Sequence, residues 1–139
     1  MAEIHAYLNF DGNTREAMEF YQKVLGGELQ VQTFGDVGEA GGAQPGMEDR
    51  IMHAFLKNGP LVLMASDTMP GQPFKQGNNV WLTVNCGSDA EVKKLHSALS
   101  AGGKDFMSPQ DTFWGAHFGM CADRYGVNWM FNYSKGQDA

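Results

Sequence analysis

Phe113-Trp114-Gly115-Ala116-His117-Phe118-Gly119-Met120-Cys121-Ala122-Asp123-Arg124-Tyr125-Gly126-Val127-Asn128-Trp129-Met130 is the stretch on which the fold turns. Two apolar runs flank Asp123-Arg124-Tyr125-Gly126. Asp at the first of four positions and Gly at the last suit a type I turn, because the Asp side chain bonds the backbone ahead of it and Gly takes φ > 0 at little cost. The segment therefore reads as a hairpin. Beyond the turn, Val127, Trp129 and Phe131 alternate with Asn128, Met130 and Asn132. That period of two gives a strand one apolar face and one mixed face. Small polar residues at alternate strand positions fill a core poorly but line a cavity well.

The same alternation recurs in five segments upstream. Glu3–Phe10, Glu28–Phe34, Arg50–Lys57, Leu61–Ser66, Asn79–Asn85, Lys104–Pro109, Ala116–Ala122 and Val127–Tyr133 read as eight strands, with a hairpin signal at Asn58-Gly59. Between the first and second strands, Asn13 caps a helix with Glu16 reaching back to it, Ala17, Met18, Tyr21, Val24 and Leu25 form its apolar stripe, and Gly26-Gly27 stops it. Ser88-Asp89-Ala90-Glu91 is a capping box for a second helix, with Val92, Leu95 and Leu99 as its stripe and Gly102-Gly103 as its stop. Gly35–Asp49, rich in Gly, reads as a mobile loop, either of the kind often used as a lid or a plain disordered insertion. Asn13 and Ser88, and Gly26 and Gly102, stand at nearly equal separations. An internal duplication of strand, helix and three strands follows. The fold class is α+β: two βαβββ modules, 1–66 and 79–139, joined by a linker over 67–78 and closing an eight-stranded, barrel-like cavity within one domain.

A helix buries its stripe against one face of its own sheet. That assigns Ile4, Ala6, Leu8, Leu29, Val31, Met52, Ala54, Leu61 and Leu63 to the helix side in the first module, and Val80, Leu82, Val84, Trp129 and Phe131 in the second. The opposite faces carry His5, Tyr7, His53, Phe55, Met64, Asn79, Trp81, Asn128 and Met130, with Asn9, Gln30, Gln32, Thr83 and Asn132. His117 and Cys121 join them if Phe118 and Met120 are core. Trp114, before Gly115 at a strand entrance, is a rim candidate. Rings and thioethers supply dispersion there, and amides and imidazoles supply orientation.

The chain of 139 residues is 42% hydrophobic and 19% charged, globular values, with a net charge of −6 and no basic cluster, which argues against a nucleic-acid partner. No apolar run approaches a membrane span, and no signal peptide is visible. Cys86 and Cys121 are too few and too far apart for a disulfide framework and read as reduced thiols of a cytoplasmic protein. Asp67 and Asp123 sit at strand ends or turns and read as structural caps. His96, on the second helix, reads as solvated. No paired carboxylates or activated nucleophile stand out, so whether the protein is an enzyme is not assigned.

Tyr7-Leu8-Asn9-Phe10-Asp11-Gly12-Asn13-x-x-Glu16-Ala17-x-x-Phe20-Tyr21, Phe113-Trp114-Gly115-Ala116-x-Phe118-Gly119-Met120 and Gly126-Val127-x-Trp129-Met130 together resemble the PhnB-like branch of the glyoxalase/bleomycin resistance/dioxygenase (vicinal oxygen chelate) superfamily. The resemblance spans nearly the whole chain. It implies paired βαβββ modules, a shared cavity and a homodimer. Members often carry a 3-demethylubiquinone 3-methyltransferase label, yet no Gly-rich turn of the S-adenosylmethionine type follows a strand here. Metal-using relatives such as glyoxalase I place His or Glu at positions that fall on His5, Met64, Asn79 and Met130, of which His5 alone is a good ligand. The expectation is therefore a small-molecule-binding protein with no metal cofactor. The alternative is an isomerase, dioxygenase or lyase using a divalent metal such as zinc, held by His5 with other histidines such as His53 and His117.

Overall fold

Strands β1 (Ala6–Phe10), β2 (Glu28–Thr33), β3 (Ile51–Asn58) and β4 (Leu61–Asp67) pair in the order β1-β4-β3-β2, in a computed structural model that describes residues 2–38, 45–69 and 71–135. Only β1 and β4 run parallel; the other pairs are antiparallel. Helix α1 (Thr14–Leu25) connects β1 to β2 and packs on β3, β2 and β4. Its Ala17, Met18 and Tyr21 are fully buried, as are Phe10, Ala54, Leu56 and Ala65 from the sheet. Burying a side chain the size of Leu or Phe stabilises by about 1.5–3 kcal/mol, so this stripe holds helix to sheet.

The second half repeats the plan. β5 (Leu82–Asn85), β6 (Lys104–Asp111), β7 (Ala116–Ala122) and β8 (Asn128–Ser134) pair in the order β5-β8-β7-β6, with β5 and β8 parallel. Helix α3 (Asp89–Ser100) packs on β7, β6 and β8 and buries Val92, Leu95 and Leu99. The chain divides into two compact units, Met1–Lys75 and Gln76–Ala139. The opening hairpin turn forms as read. Gly126 N–H donates to the Asp123 carbonyl at 3.0 Å with φ +86 at Gly126, and Asp123 Oδ1 accepts from the Tyr125 and Val127 amides.

Several expectations need correction. Ile4 and Val80, which alternation places on the helix side, are 99% and 71% exposed, because β1 begins only at Ala6 and β5 only at Leu82. Asn13 makes no side-chain capping bond. Asp67 replaces it: Oδ1 accepts from Gly12 N (2.9 Å), Thr14 N (3.1 Å) and Thr14 Oγ1 (2.7 Å), while Oδ2 accepts from Ile51 N (2.8 Å). The ladder steps from Gln32↔His53 to Thr33↔Ile51, which bulges Met52 and buries Ile51 in its place. Phe34 is not strand but begins a short helix, α2 (Phe34–Val37), capped reciprocally by Thr33 and Asp36. Of the Gly35–Asp49 loop, residues 39–44 lie outside the described residues, as does Pro70 of the linker. Ser88 does cap α3 through the Glu91 amide, but the Glu91 carboxylate accepts from Gly87 N instead of Ser88 N.

His96 is also corrected: it is 5% exposed, not solvated. Its Nε2 lies 3.0 Å from Asp105 Oδ1, and its ring meets Phe131 edge-on at 6.0 Å. The Ser108 hydroxyl, and then His96, hold the Asp105 carboxyl below its ordinary range.

Candidate functional site: the helix-free sheet faces

Each sheet has one face under its helix and one without. On the first sheet, register lines up two rungs on the helix-free face. Tyr7 stands beside Met64, Met64 beside Phe55 and Phe55 beside Gln30. One step along, Asn9 stands beside Ser66 and His53 beside Gln32. The first rung is mainly ring and thioether; the second is amide, hydroxyl and imidazole. Ser66 Oγ donates to Asn9 Oδ1 at 3.3 Å. Tyr7 Oη lies 3.5 Å from His53 Nδ1, with ring centroids 5.9 Å apart. Neither rung carries an Asp, Glu, Lys or Arg side chain.

The second sheet carries equivalent rungs. Thr83, Met130, Met120 and Met107 form one, and Asn85, Asn132, Phe118 and Gln110 the other. Met64 and Met130 occupy matching places, as do Asn9 and Asn85. Asn128 lies on the same face, opposite Ala122, and is buried.

Tyr7, His53, Phe55 and Met64 are thus brought together on one face, and Asn128 and Met130 on the other. The remaining sequence candidates sit elsewhere. His5 precedes β1 and its Nε2 pairs with Glu3 at 3.0 Å. Asn79 precedes β5 and is exposed. Trp81 also precedes β5; its ring meets Phe106 at 5.7 Å and its Nε1–H donates to the Asn78 carbonyl. Trp114 lies in the β6–β7 connection, about half exposed, with edge contacts to Phe113 and Phe118.

His117 and Cys121 differ from the expected parity. Cys121 pairs with Trp129 and Gly119 with Phe131, so this set of alternate β7 positions faces α3, and Phe118 and Met120 take the helix-free face. His117 is buried on the helix side, with Nδ1 2.8 Å from Asp111 Oδ1. Lys135 first, and then His117, hold the Asp111 carboxyl below its ordinary value; Asp111 and Asp89 hold the Lys135 ammonium above its own. No local signal in the sequence joins Asp89, Asp111 and Lys135 to His117. They meet because a hairpin and a helix start converge. Burial pushes the Cys121 thiol up to about 12, aided by the charge of Asp123, and the Cys86 thiol up to about 11, aided by Glu91.

The four positions that the family resemblance gives to a metal hold two thioethers, one exposed amide and one imidazole already paired with Glu3. That donor set does not fit a hard divalent ion. A shallow groove of about 350 Å³ lies beside the first turn of α1, lined by Asn13, Arg15, Glu16, Glu19, Asp49 and Asp67 among others, away from both rungs. Among the described residues, no helix is long and apolar enough to cross a membrane.

Residues 2–131 match the family model described as 3-demethylubiquinone-9 3-methyltransferase. Protein YjdN of Escherichia coli (strain K12) is 35% identical over 143 residues, spanning 94% of this chain and 95% of that protein. Among solved structures, protein PA1353 from Pseudomonas aeruginosa superposes with a TM-score of 0.87 at 40% identity, over 97% of this chain and 99% of that one. A putative 3-demethylubiquinone-9 3-methyltransferase, PhnB protein, from Bacillus cereus matches with a TM-score of 0.77 at 25% identity, over 95% and 99%. A glyoxalase/bleomycin resistance protein/dioxygenase family enzyme from Burkholderia phytofirmans PsJN has the same fold, with a TM-score of 0.61 at 19% identity, over 93% and 97%.

Proposed function

Because this chain belongs to the PhnB-like, 3-demethylubiquinone-9 3-methyltransferase-like family and has the glyoxalase fold, we propose that it binds a small, neutral, partly aromatic molecule on its helix-free sheet faces, without the superfamily's metal, as a cytoplasmic homodimer. The observation that carries the reading is the pair of rungs on the first sheet. Tyr7, Phe55 and Met64 offer a flat apolar surface, and Asn9, Ser66, His53 and Gln32 offer hydrogen-bond donors and acceptors one step along. An apolar bed with a few convergent polar groups is the usual make-up of a small-molecule site. Scarcity of charge disfavours ionic ligands, which need a partner once desolvated. No methyl transfer is assigned; that activity stands in the family's description.

Methionine methyls give a direct test. In protein labelled at methionine methyl carbon, a screen of neutral phenols and aromatic amides by NMR is expected to shift Met64 or Met130. Met18 and Met47, buried at 0% and 1% exposure, stay in place. Hits that move other methyls only, or no hits at all, would overturn the reading. Light scattering that reports a monomer would remove the dimer from it.

A further inference from the structure

The α3-covered side of the second sheet holds a cluster that the ligand-binding reading does not use. The His117 side chain in β7 is only 8% exposed, Asp111 faces it across the β6–β7 ladder, and Asp89 opens α3. Donor atoms of these three side chains all lie within 4.8 Å of one another. Lys135 Nζ reaches into the same place, 2.8 Å from Asp111 Oδ1 and 3.2 Å from Asp89 Oδ2. Two further atoms of the set, His117 Nε2 and Asp89 Oδ1, are buried with no hydrogen-bond partner. Buried polar atoms without partners are uncommon, since each has given up water and gained nothing in return.

We propose that Asp89, Asp111 and His117 form a binding site for a divalent transition-metal ion of the zinc type, with the Lys135 ammonium competing for the same position. One imidazole and two carboxylates are borderline nitrogen and hard oxygen donors that suit zinc and its neighbours. Atoms each about 2.0–2.2 Å from one ion lie no more than about 4.4 Å apart. The observed limit of 4.8 Å therefore needs only small side-chain rotations. His117 is held in place by burial, while Asp89 and Asp111 are 40% and 66% exposed, which leaves a way in and open coordination positions. The positive end of α3 opposes a cation here. Lys135 is nonetheless drawn in, so the two carboxylates outweigh the helix end. This site shares no residue with the positions the family resemblance gives to a metal, and it stands or falls independently of the helix-free faces.

The test uses the full chain, free of affinity tags and stripped of metal, titrated with zinc by calorimetry. One equivalent is expected to bind, with the His117 ring resonances shifting in NMR. Asp111→Asn and His117→Gln are each expected to weaken binding at least about tenfold, the scale on which metal sites respond to lost support. Lys135→Met removes the competing cation and is expected to tighten binding, an effect that a merely structural ion pair would not produce. Asp111 is largely exposed, so its variant remains informative should His117→Gln fail to fold. No zinc binding by either the wild type or Lys135→Met, or undiminished binding by Asp111→Asn, would overturn the proposal.

Discussion

Replacing Asp67 tests how the first unit is held together. The residue is 5% exposed, and its carboxylate accepts four hydrogen bonds, three on Oδ1 from Gly12 and Thr14 and one on Oδ2 from Ile51. It thereby caps α1, fixes the turn after β1 and anchors the start of β3. A hydrogen bond to a charged acceptor contributes about 1.5–3 kcal/mol, and a buried donor stripped of its partner costs about 1–3 kcal/mol. Water recovers part of this at Gly12, whose bond is only part-buried, so Asp67→Ala is expected to cost about 4 kcal/mol, against a total stability of about 5–15 kcal/mol for an ordinary domain. Asp67→Asn keeps an oxygen for the Oδ1 donors and loses the Ile51 bond, for about 2 kcal/mol. Asn13→Ala removes no capping bond and is expected to cost less than about 0.5 kcal/mol, well under the usual loss of a helix cap. Urea unfolding should be followed by far-ultraviolet circular dichroism, because Trp81, Trp114 and Trp129 all lie in the second unit. Hydrogen exchange at the Thr14 and Ile51 amides gives the local readout. If Asn13→Ala costs as much as Asp67→Asn, or if Asp67→Ala costs under about 1 kcal/mol, the cap assignment is wrong.

Three further outcomes follow from geometry and burial. Gly27 has φ +96, and a Cβ there would collide with the Lys57 carbonyl and lie 2.7 Å from the Asn58 Cβ, so Gly27→Ala is expected to lower stability by more than about 2 kcal/mol. Gly59 has φ +58 with nothing within 4 Å, so Gly59→Ala is expected to cost only about 1–2 kcal/mol; equal melting temperatures for the two variants would contradict the close approach at Gly27. Burial holds the Cys121 and Cys86 thiols near 12 and 11, so the native protein is expected to react with a disulfide reagent at neutral pH far more slowly than the urea-unfolded chain. Rapid modification of native Cys121 would refute its burial under α3.

Much of the architecture was legible because its signals are short. A period of two marked most strands, apolar stripes at helical spacing marked α1 and α3, and Asp123 to Gly126 made the turn that its residue types require. The duplication showed in the order of elements, and the motifs around Tyr7–Tyr21 and Phe113–Met130 pointed to the family that the comparisons then established. Alternation also brought Tyr7, His53, Phe55 and Met64 onto one face, as register confirms. Pairing partners were not legible. Both faces of β7 are rich in apolar residues, so only its register against Trp129 and Phe131 placed Cys121 and His117 under α3. Alternation continues through Ile4 and Val80, but no strand partner does, and both are left in water.

The sequence by itself determined where the eight strands and the two long helices lie, to within a few residues at their ends, since propensity, capping residues and turn chemistry act over a few neighbouring residues. Tertiary structure alone decided that Asp67, not Asn13, caps α1, that a bulge at Met52 buries Ile51, and that Asp89, Asp111, His117 and Lys135 converge. Each of those depends on groups far apart in the chain, which meet only when a whole sheet has settled its register.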